Sequence, residues 1–267
     1  MFPFLLGKGK YNEMGLNNMK KVLLSVLSMA LVAVISIGGT LAYLQDSDSD
    51  VNVMTLGNVH IEQIEQEWNA DKTALVSFTD DKPLYPCVGE VAWADKSDPA
   101  YRRFAMNNVV DKYVTVQNTG DTDAYVRTIV ALEMGSLTAN EFAEVFSLSV
   151  NLENGGEFKF PGAWSIPTDD VFTINGKTYN IMEFVHSDAL EKDEVTVPSM
   201  LQVYMKSVAT NEDCVALDGN GNDRYDILVL SQGVQSAGFE NAQTALDTAF
   251  GDVNQANVQT WFANIAP

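Results

Sequence analysis

Val171–Ile174 and Lys177–Ile181 flank Asn175-Gly176, and no other stretch ties the chain so closely to one local geometry. Asn-Gly accepts the positive φ angles of a type I′ turn, whose twist matches that of two antiparallel strands. Pairing Ile174 with Lys177 sets Phe172 opposite Tyr179, so Phe172, Ile174, Tyr179 and Ile181 share one face. A hairpin with an apolar face is not stable alone, so the chain needs more strands beside it and an apolar layer over it.

Further strands are legible on both sides. Lys112–Gln117 (KYVTVQ) and Ala124–Leu132 (AYVRTIVAL) are rich in β-branched and aromatic residues, and the polar link Asn118–Asp123 separates them, so two strands joined by a loop are expected. Val51–Trp68 reads as β around a Gly57-Asn58 turn, with Val59, Ile61 and Ile64 pointing inward. Val195–Val197 and Leu201–Ser207 add strand, with Pro198 at the junction. Tyr225–Gln235 holds the unbroken run Ile227-Leu228-Val229-Leu230, which suits a strand covered on both faces. Lys72–Asn108, with Pro83, Pro86 and Pro99, reads as an irregular excursion.

Helices come last. Asn241 is placed to cap a helix whose Ala242, Ala245, Leu246, Ala249 and Phe250 form an apolar stripe that stops at Gly251. Asn254 is placed to cap a second, with Val258, Trp261, Phe262 and Ile265 on its face. The expected fold is mainly β: a sandwich of about eight strands with two short C-terminal helices. It occupies 51–267, with inserts near 71–108 and 133–170 and helices near 241–265.

The N-terminus has a different character. Lys20-Lys21 precedes the uncharged run Val22–Ile37 and then Gly38-Gly39-Thr40-Leu41-Ala42-Tyr43. A basic region, an apolar region and small residues before a cleavage point make a secretory signal peptide cut between Ala42 and Tyr43. The rival reading is a retained anchor, because Val22–Leu44 carries no charge and is long enough to span a bilayer. Gly38-Gly39 favours the signal peptide, since paired glycines break a helix where a peptidase needs extended chain. Met14 and Met19 are alternative starts, and residues 1–42 are set apart as start extension and signal.

Charge follows the same division. The chain has 16 Lys+Arg against 36 Asp+Glu and a net charge of -20. Four of the lysines and one glutamate lie in residues 1–42, which leaves 12 basic and 35 acidic side chains beyond them. A body this acidic repels phosphate backbones and anionic lipid, so nucleic-acid partners are excluded and membrane contact is confined to the signal peptide. Residues 43–50 (YLQDSDSD) form an acidic arm, read as solvated although Asp46, Asp48 and Asp50 offer cations an alternating comb.

Catalytic patterns are scarce. Zinc hydrolysis needs three protein ligands and an open position, and the chain has only His60 and His186, with no His-Glu-x-x-His. Neither Cys87 nor Cys214 has a neighbouring histidine, and no Gly-x-Ser-x-Gly occurs. In an exported chain Cys87 and Cys214 are a candidate disulfide, the alternative being two core thiols. Asp218, Asn220 and Asn222 alternate as calcium-loop oxygens do, the alternative being a Gly-rich turn; the sixth position from Asp218 is Asp223 and the twelfth Val229, so this is no EF-hand.

Three stretches resemble one family. Lys20–Leu44 followed by Asn52–Val59 (NVMTLGNV), Tyr113–Arg127 (YVTVQNTGDTDAYVR) and Val234–Gly251 (VQSAGFENAQTALDTAFG) are similar to the TasA/camelysin (CalY) family of exported Gram-positive proteins with SipW-type signal peptides. The resemblance implies a jelly-roll sandwich, processing by a SipW-type signal peptidase, and a secreted cell-surface or biofilm-matrix role with self-association into oligomers or fibres. It also implies that the segment behind the cleavage site adds as a strand to the next subunit. Here that donor is Tyr43–His60, continued by Ile61, with Val51, Val53, Leu56, Val59 and Ile61 as anchors. The alternatives are a camelysin-like secreted metalloendopeptidase and a surface adhesin. The preferred reading is non-enzymatic, without a cofactor apart from the weak calcium candidate.

Overall fold

The computed structural model describes residues 42–45, 54–56, 59–79, 82–88, 108–152, 157–158, 166–218, 221 and 224–264. They build two sheets. One runs in the order β10 (Val171–Ile174), β11 (Lys177–Val185), β7 (Ala124–Glu133), β13 (Arg224–Gln235), β1 (Ala42–Gln45), β5 (Lys82–Leu84), with β2 (Met54–Leu56) also on β13. The other runs β4 (Leu75–Ser77), β3 (Ile61–Trp68), β6 (Val110–Asn118), β12 (Met200–Met205), β8 (Phe146–Leu152), β9 (Glu157–Phe158). The chain is thus mainly β, with largely antiparallel pairing and four helices among the described residues: α1 (Ala139–Val145), α2 (Asn211–Leu217), α3 (Ala242–Phe250) and α4 (Gln255–Phe262).

The Asn-Gly hairpin forms as the sequence dictates. Asn175 and Gly176 have φ of 49° and 85°, and Ile174 pairs with Lys177 and Phe172 with Tyr179. Its apolar face joins Ile129, Ala131, Leu228 and Leu230 beneath Val258, Trp261 and Phe262 of α4. The opposite faces of β7 and β13 turn Val130, Leu132, Ile227 and Val229 toward Val114, Leu148, Val203 and Met205 of the second sheet. The run Ile227–Leu230 is therefore covered on both sides: by the other sheet within and by helices without. A Cβ on Gly233 would meet the Ile61 side chain at 3.0 Å, so a larger residue at this strand position would have to push Ile61 aside.

β6 and β7 do not pair with each other. The Asn118–Asp123 link carries the chain from one sheet to the other. Buried Asn118 holds the crossing: its amide donates to the Thr122 and Leu190 carbonyls, both at 2.9 Å, and its Oδ1 accepts from the Gly120 N–H at 3.0 Å.

Three expectations are corrected. Val195–Val197 is not a strand: Val195 makes one isolated bridge to Gln117, and Val195 and Val197 are exposed. The excursion Lys72–Asn108 supplies two short strands, β4 and β5, while 89–107 lie outside the described residues. The stretch 133–170 supplies α1 and β8, and β8 pairs with β12 along most of its length. A bulge between Met200 and Gln202 lets β12 keep Met200, Val203 and Met205 in the core.

Both C-terminal helices start where expected. Asn241 Oδ1 accepts from the Thr244 N–H at 2.9 Å, and Asn254 Oδ1 from the Ala256 and Asn257 N–H groups at 3.0 Å. Gly251 closes α3 with φ of 86°, and Ile265 lies outside the described residues. The other two helices open with capping boxes, Thr138 with Glu141 and Thr210 with Asp213, a spacing visible in the sequence.

Arg127 of β7 fixes the helical layer to the sheet. Its side chain is fully buried. Nε donates to Gln232 Oε1 at 2.7 Å, Nη1 to Glu183 Oε1 at 2.7 Å and to Asp247 Oδ1 at 3.1 Å, and Nη2 to the Gly251 carbonyl at 2.8 Å. The guanidinium also lies 4.9 Å from the Trp261 ring centroid. Removing one member of a buried ionic network costs about 3–5 kcal/mol, because the partners keep their desolvation. Arg127→Ala is expected to lose that much in urea unfolding, and Arg127→Lys to recover only part, since an ammonium cannot fork between four acceptors.

Candidate functional site

β13 has twelve residues and two edges of unlike character. Along one, β7 pairs antiparallel from Ile227↔Leu132 to Gln235↔Ala124. Along the other lie two short N-terminal strands, both parallel: β1 with Tyr43↔Arg224 to Gln45↔Asp226, and β2 with Gln232↔Met54 to Val234↔Leu56. Residues 227–231 have no partner strand on that edge among the described residues. A parallel, interrupted pairing on a short register is a weak way to close a sheet.

The sequence-derived site residues distribute around this edge. Ala42 and Tyr43 fall in β1, and Leu56 pairs with Val234. Val51 and Val53, and the acidic comb, lie outside the described residues. Val59 and Ile61 are buried with Val116, Ala124, Val126 and Leu190, so they anchor this domain's own core.

Cys87 and Cys214 are free, buried thiols. Cys87 packs on Tyr204 and Cys214 on Met205, with Sγ 3.7 Å from the Met205 Sδ. Successive side chains of a strand point to opposite faces, so β12 stands between the two sulfurs and no bridge forms. Burial pushes both thiols up. Thiol titration is expected to find neither cysteine in the folded protein and both after unfolding without reductant; a disulfide would give none in either state.

The candidate metal ligands that are described lie in unlike surroundings. His60 is exposed, whereas His186 is buried with Nε2 3.2 Å from Ser199 Oγ. Asp218 caps the end of α2, and Asn220 and Asn222 lie outside the described residues. Among the described residues no three His, Cys, Asp or Glu side chains are placed to share a metal. No described helix is long and apolar enough to cross a membrane.

A cleft of about 300 Å³ is lined by Glu67, Trp68, Lys82, Tyr85 and Asp111 among others. Its charges neutralise one another: Lys82 pairs with Glu67 at 2.6 Å and Lys72 with Asp111 at 2.5 Å. The second oxygens of these acids accept from Thr79 at 2.9 Å and Gln202 at 2.6 Å.

A second polar cluster escaped sequence reading, because Glu133 and Asp226 sit at the ends of apolar runs and resemble solvent-facing termini. Glu133 ends β7 and is fully buried; Asp226 on β13 is 2 % exposed. Glu133 Oε2 accepts the Asp226 N–H at 3.2 Å, where the β7–β13 ladder stops. Glu133 Oε1 and the hydroxyl of Tyr179, directly opposite, have no partner. Lys177 Nζ is 3.5 Å from Asp226 Oδ2. Burial, then the Asp226 charge, pushes Glu133 up from 4.5 to about 7, and burial raises Asp226 too.

A carboxyl raised on folding keeps its full stability below its unfolded value and loses it as pH rises through the folded one. For Glu133 that window runs from 4.5 to about 7. Glu133→Gln is expected to leave unfolding free energy unchanged near pH 4 and to raise it by up to ~3 kcal/mol near pH 8, measured by denaturant unfolding at both.

Compared with known proteins, the chain matches no protein-family description, no curated protein and no solved structure.

Proposed function

We propose that this is an exported structural protein of the Gram-positive cell surface or biofilm matrix, built as a jelly-roll sandwich and self-associating by exchange of its N-terminal strand. The observation that supports it most is the edge of β13, where β1 and β2 attach by parallel pairings of three residues each, β1 being paired on its other side with β5. An extended segment that completes its own sheet can complete a neighbour's with the same main-chain hydrogen bonds. The signal-like run behind Lys20-Lys21 places that segment at the new N-terminus after cleavage between Ala42 and Tyr43. Val59 and Ile61, fixed in the core, give the arm a firm root from which to swing.

The test is removal of residues 43–56, which deletes β1 and β2 and spares Val59. In sedimentation at rising protein concentration, the protein with its arm is expected to form higher-order species and the truncated one to stay monomeric. Equal assembly by both would sink the proposal.

A further inference from the structure

We propose that α4 is a built-in cap on the free edge of β10: the side chains of Gln255 and Gln259 stand where a neighbouring strand would be, and the partner they exclude is β10 of a second copy of this chain. This edge lies at the opposite end of the sheet from β1 and β5, so the cap is independent of strand exchange at β13.

β10 ends its sheet, with β11 on one side and no strand on the other among the described residues. In a two-residue hairpin the closing pair, here Ile174 with Lys177, is hydrogen-bonded, and the alternation of the antiparallel ladder then turns the N–H and C=O of Thr173 outward. One side chain takes both outward groups. The Thr173 N–H donates to Gln255 Oε1 at 2.9 Å, and Gln255 Nε2 donates to the Thr173 carbonyl at 2.7 Å. One helical turn on, the Asn175 N–H donates to Gln259 Oε1 at 3.3 Å, and Gln259 Nε2 donates to Asn175 Oδ1 at 3.1 Å. The spacings agree, since residues i and i+4 of a helix lie about 6 Å apart along its axis and residues i and i+2 of a strand about 6.6 Å. A primary amide also carries a donor and an acceptor side by side, as a strand residue facing an edge does.

β10 has no guard of its own. Val171–Ile174 (VFTI) is an uncharged, β-favouring run without lysine or proline to discourage pairing. β5, at the far end of the same sheet, has both in Lys82-Pro83. Water would satisfy an open edge as well, and holding two glutamines still costs side-chain entropy, so the cap adds little stability and acts by excluding other strands. Symmetry identifies the excluded partner. A two-fold axis at Thr173 would let the Thr173 of each copy donate to and accept from the other, the same two bonds that Gln255 makes within the chain. That register sets Phe172 opposite Ile174 and brings no like charges together, as a chain with 36 acidic and 16 basic side chains requires.

Gln255→Ala combined with Gln259→Ala removes the amides and leaves Val258, Trp261 and Phe262 buried on the sheet, so the domain stays folded. In the monomer at low concentration, the Thr173 amide is expected to exchange at least ~10-fold faster in this variant, with the Tyr179 amide unchanged. Thr173 is exposed, and pairing across it would bring the two Cα atoms to about 5.5 Å, within disulfide range. Cys87 and Cys214 are buried, so Thr173→Cys supplies the accessible thiol. In an oxidising glutathione buffer the protein carrying Thr173→Cys alone is expected to stay monomeric. With both glutamine changes added it is expected to form a covalent dimer joined at position 173, and Val258→Ala, which loosens the seat of α4, to raise the yield. Unchanged exchange at Thr173, no dimer in either uncapped protein, or as much dimer with the glutamines as without them overturns the proposal.

Discussion

The four acceptors around the Arg127 guanidinium set the limits within which the rest of the fold is built. A buried cation survives only where every donor finds an oxygen, and these come from β11, β13, the body of α3 and its C-terminal carbonyl. The first sheet and both C-terminal helices must therefore be in place together. The Gly251 carbonyl is offered to Arg127 because α3 stops there, and it stops there because Gly251 adopts a positive φ. One charged residue on a central strand thus couples turn chemistry at residue 251 to packing of Trp261 ten residues later. Apolar burial supplies most of the stabilisation, at about 1.5–3 kcal/mol for each large side chain. The guanidinium decides which face of the sheet the helices cover.

Local rules were legible where they were strong. The Asn175-Gly176 turn, the two asparagine caps and the doubly covered Ile227–Leu230 run each follow from backbone preferences that tertiary structure had no reason to override. Partnership between strands was not legible. Lys112–Gln117 and Ala124–Leu132 read as strands, but nothing in their composition shows that Asn118 turns the chain into the other sheet. Phe146–Leu152 (FSLSVNL) alternates well enough for a strand, and its place beside β12 depends on a bulge 50 residues away. The Thr138 and Thr210 capping boxes were visible signals; they open helices of only seven residues, too short to show an apolar stripe.

The candidate site divides in the same way. The family resemblance and the place behind the signal-like run single out the N-terminal segment, and hydrophobicity singles out its anchors. Hydrophobicity alone does not separate Val59 and Ile61, which are core, from Leu56, whose strand sits on an edge. The edge itself is a property of β13: β7 completes one side with nine pairs, and the other side is left to two short strands with three pairs each.

Two buried polar groups in one sheet then show opposite solutions. Arg127 is fully satisfied, and its neutral and acidic partners arrive from four directions. Glu133, on the same strand and the same face, has one oxygen occupied and one not, beside a second acid and a single lysine. Position along the strand separates them. Arg127 lies under α3 and α4, where helix ends supply acceptors, while Glu133 lies at the strand's far end, where the ladder to β13 stops and β1 begins. A well-packed domain removes such a group or pairs it, unless the strain is useful. Here the unsatisfied acid sits where the β7–β13 ladder stops, one strand in from the three-residue pairing of β1 with Arg224–Asp226.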